Sequence, residues 1–65
     1  MQITLNGELR QTDATTVAQL LLELQFEPTS LAVAVNESVV RRADFGSHAL
    51  SAGDHIEIIR AVQGG

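Results

Sequence analysis

The chain has 65 residues, 45% of them apolar, a formal net charge of −4 and no cysteine. A chain of this length makes one small domain, residues 1–65, which buries only about 60% of its unfolded surface and has no room for an enclosed active site. Without cysteine there is no disulfide framework, thiolate zinc site or catalytic thiol, and with Arg10, Arg41, Arg42 and Arg60 as the only basic residues there is no basic face for nucleic acid.

Met1, Ile3 and Leu5 alternate with Gln2, Thr4 and Asn6, the period-2 pattern of a half-buried strand. Asn6-Gly7 tolerates the positive φ of a tight hairpin turn, so Glu8 to Thr12 is predicted to return antiparallel. Thr16 with Gln19 three residues later fits a capping box. Val17, Leu20, Leu21 and Leu24 then share one face of a helix that ends before Pro28. Leu31 to Val35, short and apolar, reads as a strand buried on both sides, and Asn36-Glu37-Ser38 turns the chain into Val39-Val40. Arg41-Arg42 is a polar stop. The aperiodic stretch from Ala43 to Ala52 is expected to wrap over the sheet on Phe45 and Leu50, the first of these being one of only two aromatic residues, with Phe26. Ser51-Ala52-Gly53-Asp54 is a turn, and Asp54 to Val62 reads as the last strand, with Ile56 and Ile58 inward and Ile59 outward.

Two strands, one helix and two or three further strands are too short for several parallel crossovers. One helix across one face of a mixed sheet of four to five strands satisfies the packing needs of both. The compact solution is an α+β, β-grasp arrangement with the last strand central beside the first.

Behind that strand come Gln63, Gly64 and Gly65. Two consecutive residues without Cβ pass through a slot that side chains would block and reach backbone angles closed to other residues. The pattern suits a flexible carboxylate delivered into another protein's active site. The same residues also fit an ordinary frayed chain end.

Little else carries chemistry. His48 and His55 lack the ligand spacing of a zinc site, so no metal is expected. The eight acidic residues are dispersed without a close pair, which leaves general acid and base catalysis unsupported. No basic leader and no apolar run near ~20 residues precedes or interrupts the pattern, and the expectation is a cytoplasmic protein away from membranes.

The segments Asn6-Gly7, Thr16-Val17 opening a leucine-rich helix, Ala32-Val33-Ala34-Val35-Asn36, and Gly53-Asp54-His55-Ile56-Glu57-Ile58 followed by Val62-Gln63-Gly64-Gly65 together resemble the ThiS family, the sulfur carriers of thiamin thiazole synthesis. The resemblance spans the chain and implies a ubiquitin-like β-grasp fold. It implies that the Gly65 carboxylate is adenylated by a ThiF-type adenylyltransferase using ATP and magnesium. A persulfide-carrying sulfurtransferase then supplies the sulfur of a thiocarboxylate, and thiazole synthase of the ThiG type takes that sulfur. The carrier would hold no cofactor and act as no enzyme. Its own residues would serve recognition: Ile59, Ala61 and Val62 beside the tail as an apolar contact, and Arg42 as a grip for the partner. Three alternatives stand beside this reading: the small subunit of molybdopterin synthase, a ubiquitin-like modifier joined to protein lysines, and an interaction module whose tail is inert.

Overall fold

A computed structural model describes residues 1–60. Strand β1 (Gln2–Leu5) and strand β2 (Glu8–Gln11) form an antiparallel hairpin in which Leu5 faces Glu8. Its turn holds Asn6 at φ 50° and Gly7 at φ 85°, the left-handed geometry for which Asn and Gly are suited. The pairing runs one residue past β2, since the Thr12 amide donates to the Met1 carbonyl at 2.8 Å.

Helix α1 (Val17–Leu24) is capped by Thr16, whose hydroxyl accepts from the Gln19 amide at 3.2 Å. The reciprocal half of the expected capping box is displaced by one residue: Gln19 Oε1 accepts from the amide and the hydroxyl of Thr15, both at 2.8 Å, rather than from the Thr16 amide. The amides of Val17 and Ala18, orphaned at any helix start, donate to the carbonyls of His48 and Phe45 at 3.1 and 2.9 Å. The segment after β4 therefore caps the helix as well as covering it. At the other end Gln25 takes φ 62° and its amide returns to the carbonyls of Leu21 and Leu22, an αL stop of the kind glycine usually makes.

Strand β3 (Leu31–Val35) pairs with strand β4 (Ser38–Val40) on one side and with strand β5 (His55–Arg60) on the other, both antiparallel. Strand β5 also runs parallel to β1. The sheet order is β2-β1-β5-β3-β4, so the first and last strands share the centre as expected for a β-grasp fold. Strand β5 ends at Arg60 within the described residues; Ala61 and Val62, the rest of the expected strand, lie outside them.

The helix covers one face of the sheet. Val17, Leu20 and Leu21 pack on Ile3, Val33, Val35, Val40, Ile56 and Ile58, with Ala14, Phe45 and Leu50 closing the rim. The expectation of a β3 buried on both sides is corrected here. Val33 and Val35 are buried, but Ala32 is exposed and Ala34 only half-buried, because among the described residues no second layer covers that face of the sheet. Small alanines in place of branched residues at the outward positions follow from that one-sided cover.

The hairpin is pinned to the helix by a polar lock. Thr12 Oγ1 donates to Glu23 Oε1 at 2.8 Å, and Arg10 donates to Glu23 Oε2 at 3.2 Å. Thr12 also accepts from the Ala14 amide at 3.0 Å, and it is the one buried polar residue among those described. The Thr12 hydroxyl bond, the largest influence, outweighs desolvation and with the further help of Arg10 holds the Glu23 carboxyl below its ordinary pKa.

Candidate functional site

The candidate site is built outward from β5, the strand that leads to the glycine pair. Its entry is fixed by the turn before it. Gly53 has φ +87°, Asp54 Oδ2 accepts from the Ser51 amide at 2.8 Å, and Asn36 Nδ2 donates to Asp54 Oδ1 at 3.0 Å. Along its length β5 is held by neighbours on both sides. On the β3 side the register runs from Val35 opposite Ile56 to Leu31 opposite Arg60. On the β1 side Thr4 and Asn6 donate through their amides to the carbonyls of Asp54 and Ile56, each at 2.9 Å.

Two asparagines supply further bonds that the backbone omits. Asn6 Oδ1 accepts from the Ile58 amide at 2.9 Å, and Asn36 Oδ1 accepts from the His55 amide at 2.9 Å. Both residues sit in the left-handed region, at φ 50° and φ 52°. Sequence reasoning reads Asn6 and Asn36 only as turn formers; nothing in the local pattern shows that their carboxamides reach a strand about 50 or 20 residues away, as sequence separations of 52 and 19 require.

Alternation along β5 sends Ile56 and Ile58 into the core and Ile59 to the open face, where it is 66% exposed. Ala32 lies directly across from Ile59, and Ala34 directly across from Val39. Val39 is 77% exposed. Ile59 and Ala32 lie near the end of the sheet where β5 finishes, and Ala34 and Val39 extend the apolar face one row back toward the start of β5, in the row of Glu57, which pairs with Ala34. The sequence singles out Ile59 but not its neighbours Ala32, Ala34 and Val39, because β3 looked doubly buried. Their signal was the alternation of Ala and Val within Ala32-Val33-Ala34-Val35.

The structure does not bring Arg42 to this patch. Arg42 lines a groove on the helix side with Ala18, Leu21, Leu22, Phe26 and Phe45. Arg60 also turns to that side, its guanidinium 5.1 Å from the centre of the Phe26 ring, within range of a cation–π contact. Of the remaining expected site residues, Ala61, Val62, Gln63, Gly64 and Gly65 lie outside the described residues. Among the described residues no three His, Asp or Glu side chains gather as a metal-holding group, and no helix is long and apolar enough to cross a membrane.

An apolar, solvent-exposed face beside the last strand suits docking of a partner surface. Comparison with known proteins agrees in both sequence and shape. The ThiS family model matches residues 3–65. The sulfur carrier protein ThiS of Escherichia coli is 33% identical over 66 residues, covering 100% of both chains. A thiazole synthase of Magnetococcus marinus is 41% identical over 66 residues, and there the chain spans only 20% of the relative's length. The crystal structure of a thiamine biosynthesis protein (ThiS) from Geobacter metallireducens superposes with a TM-score of 0.84 at 28% identity, over 100% of both chains. The solution structure of a thiamine biosynthesis protein from the same organism gives 0.82 at 28% identity, over 88% of that chain. With a ubiquitin-like β-grasp fold and a family match from Ile3 to Gly65, the chain belongs to the ThiS family.

Proposed function

We infer that this protein is a sulfur carrier of thiamin thiazole synthesis and that Gly65 is the residue that carries the sulfur. The observation that supports this most is the family match, which runs through Gly64-Gly65 and continues a strand bonded on both sides at the centre of the sheet. A carboxylate is a poor electrophile. Attack of a Gly65 oxygen on the α-phosphorus of ATP releases pyrophosphate and leaves an acyl adenylate, from which sulfur can displace AMP. Two moderate barriers then replace one high one, the usual gain of a covalent intermediate. The thiocarboxylate is a nucleophilic sulfur held on a protein handle.

In this reading the catalytic groups, ATP and magnesium belong to a ThiF-type adenylyltransferase, and the sulfur comes from a persulfide-carrying sulfurtransferase, whose terminal sulfur displaces AMP to give an acyl disulfide that a second thiol cleaves, leaving the thiocarboxylate and a disulfide. The match of the whole chain to a segment of a protein named thiazole synthase supports a ThiG-type thiazole synthase as the acceptor. The carrier contributes recognition and reach. The patch of Ile59, Ala32, Ala34 and Val39 would dock an apolar partner surface, since the desolvated centre of an interface is apolar, and Ala61 and Val62 would extend it toward Gln63 and Gly64. Arg42, on the helix side, would touch only a partner that wraps round the sheet.

The test is intact mass after incubation with ATP, magnesium, a ThiF-type adenylyltransferase and sulfide, beside a variant lacking Gly65. Exchange of one oxygen for sulfur adds about 16 mass units, and is expected only with Gly65 present, as covalent activation of its carboxylate requires. An unchanged mass with a partner that thiolates its own carrier would refute the reading.

A further inference from the structure

We propose that Asn6 is a positioning residue of the carrier reaction, one whose carboxamide stands in for a missing rung of the β1–β5 ladder and so fixes the last turn of backbone before the carrier end departs. The proposal rests on the sulfur-carrier reading above. Its structural basis is the hydrogen-bond sequence between two parallel strands. In such a ladder one residue donates to a carbonyl of its neighbour and accepts from the amide two residues further on, and the pattern repeats every second residue. Here Thr4 donates to the Asp54 carbonyl and Asn6 donates to the Ile56 carbonyl, each at 2.9 Å. The next bond due is from the Ile58 amide to the Asn6 backbone carbonyl. The chain cannot supply it, because Asn6 at φ 50° has already turned away into the hairpin toward β2. Instead the Ile58 amide donates to Asn6 Oδ1 at 2.9 Å, and Asn6 Nδ2 turns back to the Ile58 carbonyl at 3.4 Å.

A side-chain amide thus replaces a peptide group, acceptor for acceptor and donor for donor. No other residue type of that length combines both hydrogen-bonding groups with ready access to positive φ. Glycine keeps the φ and loses both bonds, and aspartate keeps the acceptor and loses the donor. Asn36 makes the equivalent substitution at the opposite end and opposite edge of β5. Its amide donates to the His55 carbonyl at 2.7 Å, and the return bond from the His55 amide goes to its Oδ1 at 2.9 Å. The two asparagines differ in where they act. Asn36 secures the start of β5, whereas Asn6 secures Ile58, two residues before Arg60. Only Asn6 lies where a change of backbone direction would be passed to Gly65.

Catalysis by placement is sensitive to such changes, since small misplacements of a reacting group cost large factors in rate. The full chain is assayed as the substrate of a ThiF-type adenylyltransferase with ATP, magnesium and sulfide, following the gain of about 16 mass units that marks covalent activation. For Asn6→Gly, kcat is expected to fall about tenfold or more with KM for the carrier within about twofold, as expected for lost positioning rather than lost docking. Asn6→Asp, which retains the acceptor for the Ile58 amide, is expected to lose less. Asn36→Gly, which removes a comparable pair of contacts, is expected to keep both constants within about twofold. Amide exchange gives a readout independent of the carrier reading: Ile58 should exchange on the order of tenfold faster in Asn6→Gly while Ile56 stays protected.

An unaltered kcat in Asn6→Gly, an equal fall in both asparagine variants, or an Ile58 amide that stays protected would each overturn the proposal. A rise in KM alone would overturn it too, since that is the mark of a direct partner contact. Should Asn6→Gly fail to fold, the fall in kcat of Asn6→Asp against Asn36→Gly decides the same question. Wild-type protein that gains no mass refutes the carrier reading and the positioning role together, whereas a wild type that reacts as fast as Asn6→Gly refutes the positioning role alone.

Discussion

Replacing Ile59 with aspartate separates the two jobs of β5, holding the fold together and meeting a partner. Ile59 is 66% exposed, so about a third of its surface is covered. Full burial of such a side chain is worth about 1.5–3 kcal/mol, so its loss here costs about 0.5–1 kcal/mol. The lower strand preference of aspartate adds up to about 1 kcal/mol, and Glu57 on the same face adds a mild like-charge repulsion. A total near 1–2 kcal/mol lowers Tm by roughly 5–15 °C for a domain of this size, leaving a cooperative fold at 25 °C. A charge buried without a partner in an apolar interface is more costly. KM for the carrier in the adenylyltransferase reaction is therefore expected to rise at least about tenfold, equivalent to about 1.4 kcal/mol of binding. Leu9 gives the control. It is 72% exposed and faces Thr4 on the same open surface but on β2, two strands from β5. Leu9→Asp makes the same charge change and is expected to leave KM within about twofold. Wild-type KM in Ile59→Asp, measured below its Tm, would refute the docking role of the patch; an equal rise in both variants would reduce it to a general effect of charge.

Leu20, fully buried under the sheet, is expected to cost about 2–5 kcal/mol when cut to alanine, a large part of the stability of so small a domain; urea denaturation measures it, and a loss below about 1 kcal/mol would mean the core recollapses. Glu23 makes stability depend on acid. Its carboxyl is held below the ordinary 4.5 chiefly by the Thr12 hydroxyl, against desolvation and with added help from Arg10, so its contribution is present above that ordinary value and lost as pH falls through the lower folded value. The stability gap between wild type and Glu23→Gln should be flat near neutrality and close only below pH 4.5; a gap that closes as pH rises would contradict the sign. Gly53→Ala isolates backbone conformation, because a Cβ there meets nothing within 4 Å while φ stays at +87°. A loss of about 1–2 kcal/mol in equilibrium unfolding is expected from the left-handed geometry alone, and an unchanged midpoint would show that the turn relaxes.

The order of elements and the inward pair Ile56 and Ile58 were legible because each rests on a local signal: alternation, the i, i+3, i+4 spacing of Val17, Leu20 and Leu21, and the turn chemistry of Asn6-Gly7 and Gly53-Asp54. The central place of β5 was legible only through the compactness argument and the family resemblance, since pairing partners 50 residues apart leave no local trace. The reading of β3 as doubly buried failed for a definite reason. Alanine counts as apolar in a pattern but asks for little cover, so Ala32 and Ala34 tolerate the open face. The displaced half of the capping box failed for another: Gln19 has one side-chain carbonyl, and Thr15 offers it two donors at 2.8 Å where the Thr16 amide offers one.

A tight turn demands a backbone angle, and Asn satisfies that demand so well that its side chain is easily taken as incidental. In this fold the turn and the side chain are consequences of one geometric problem. Strand β5 is six residues long, yet its parallel partner β1 has only four and must leave the sheet to form the hairpin with β2. Something must therefore meet the β5 backbone where β1 has gone, and at a position already committed to positive φ the short carboxamide of asparagine supplies both a donor and an acceptor. The longer strand is the one that leads to Gly65. Along that excess β5 stays paired with β3 as far as Arg60, and on the side that β1 has left the carboxamide of Asn6 meets the Ile58 amide and carbonyl.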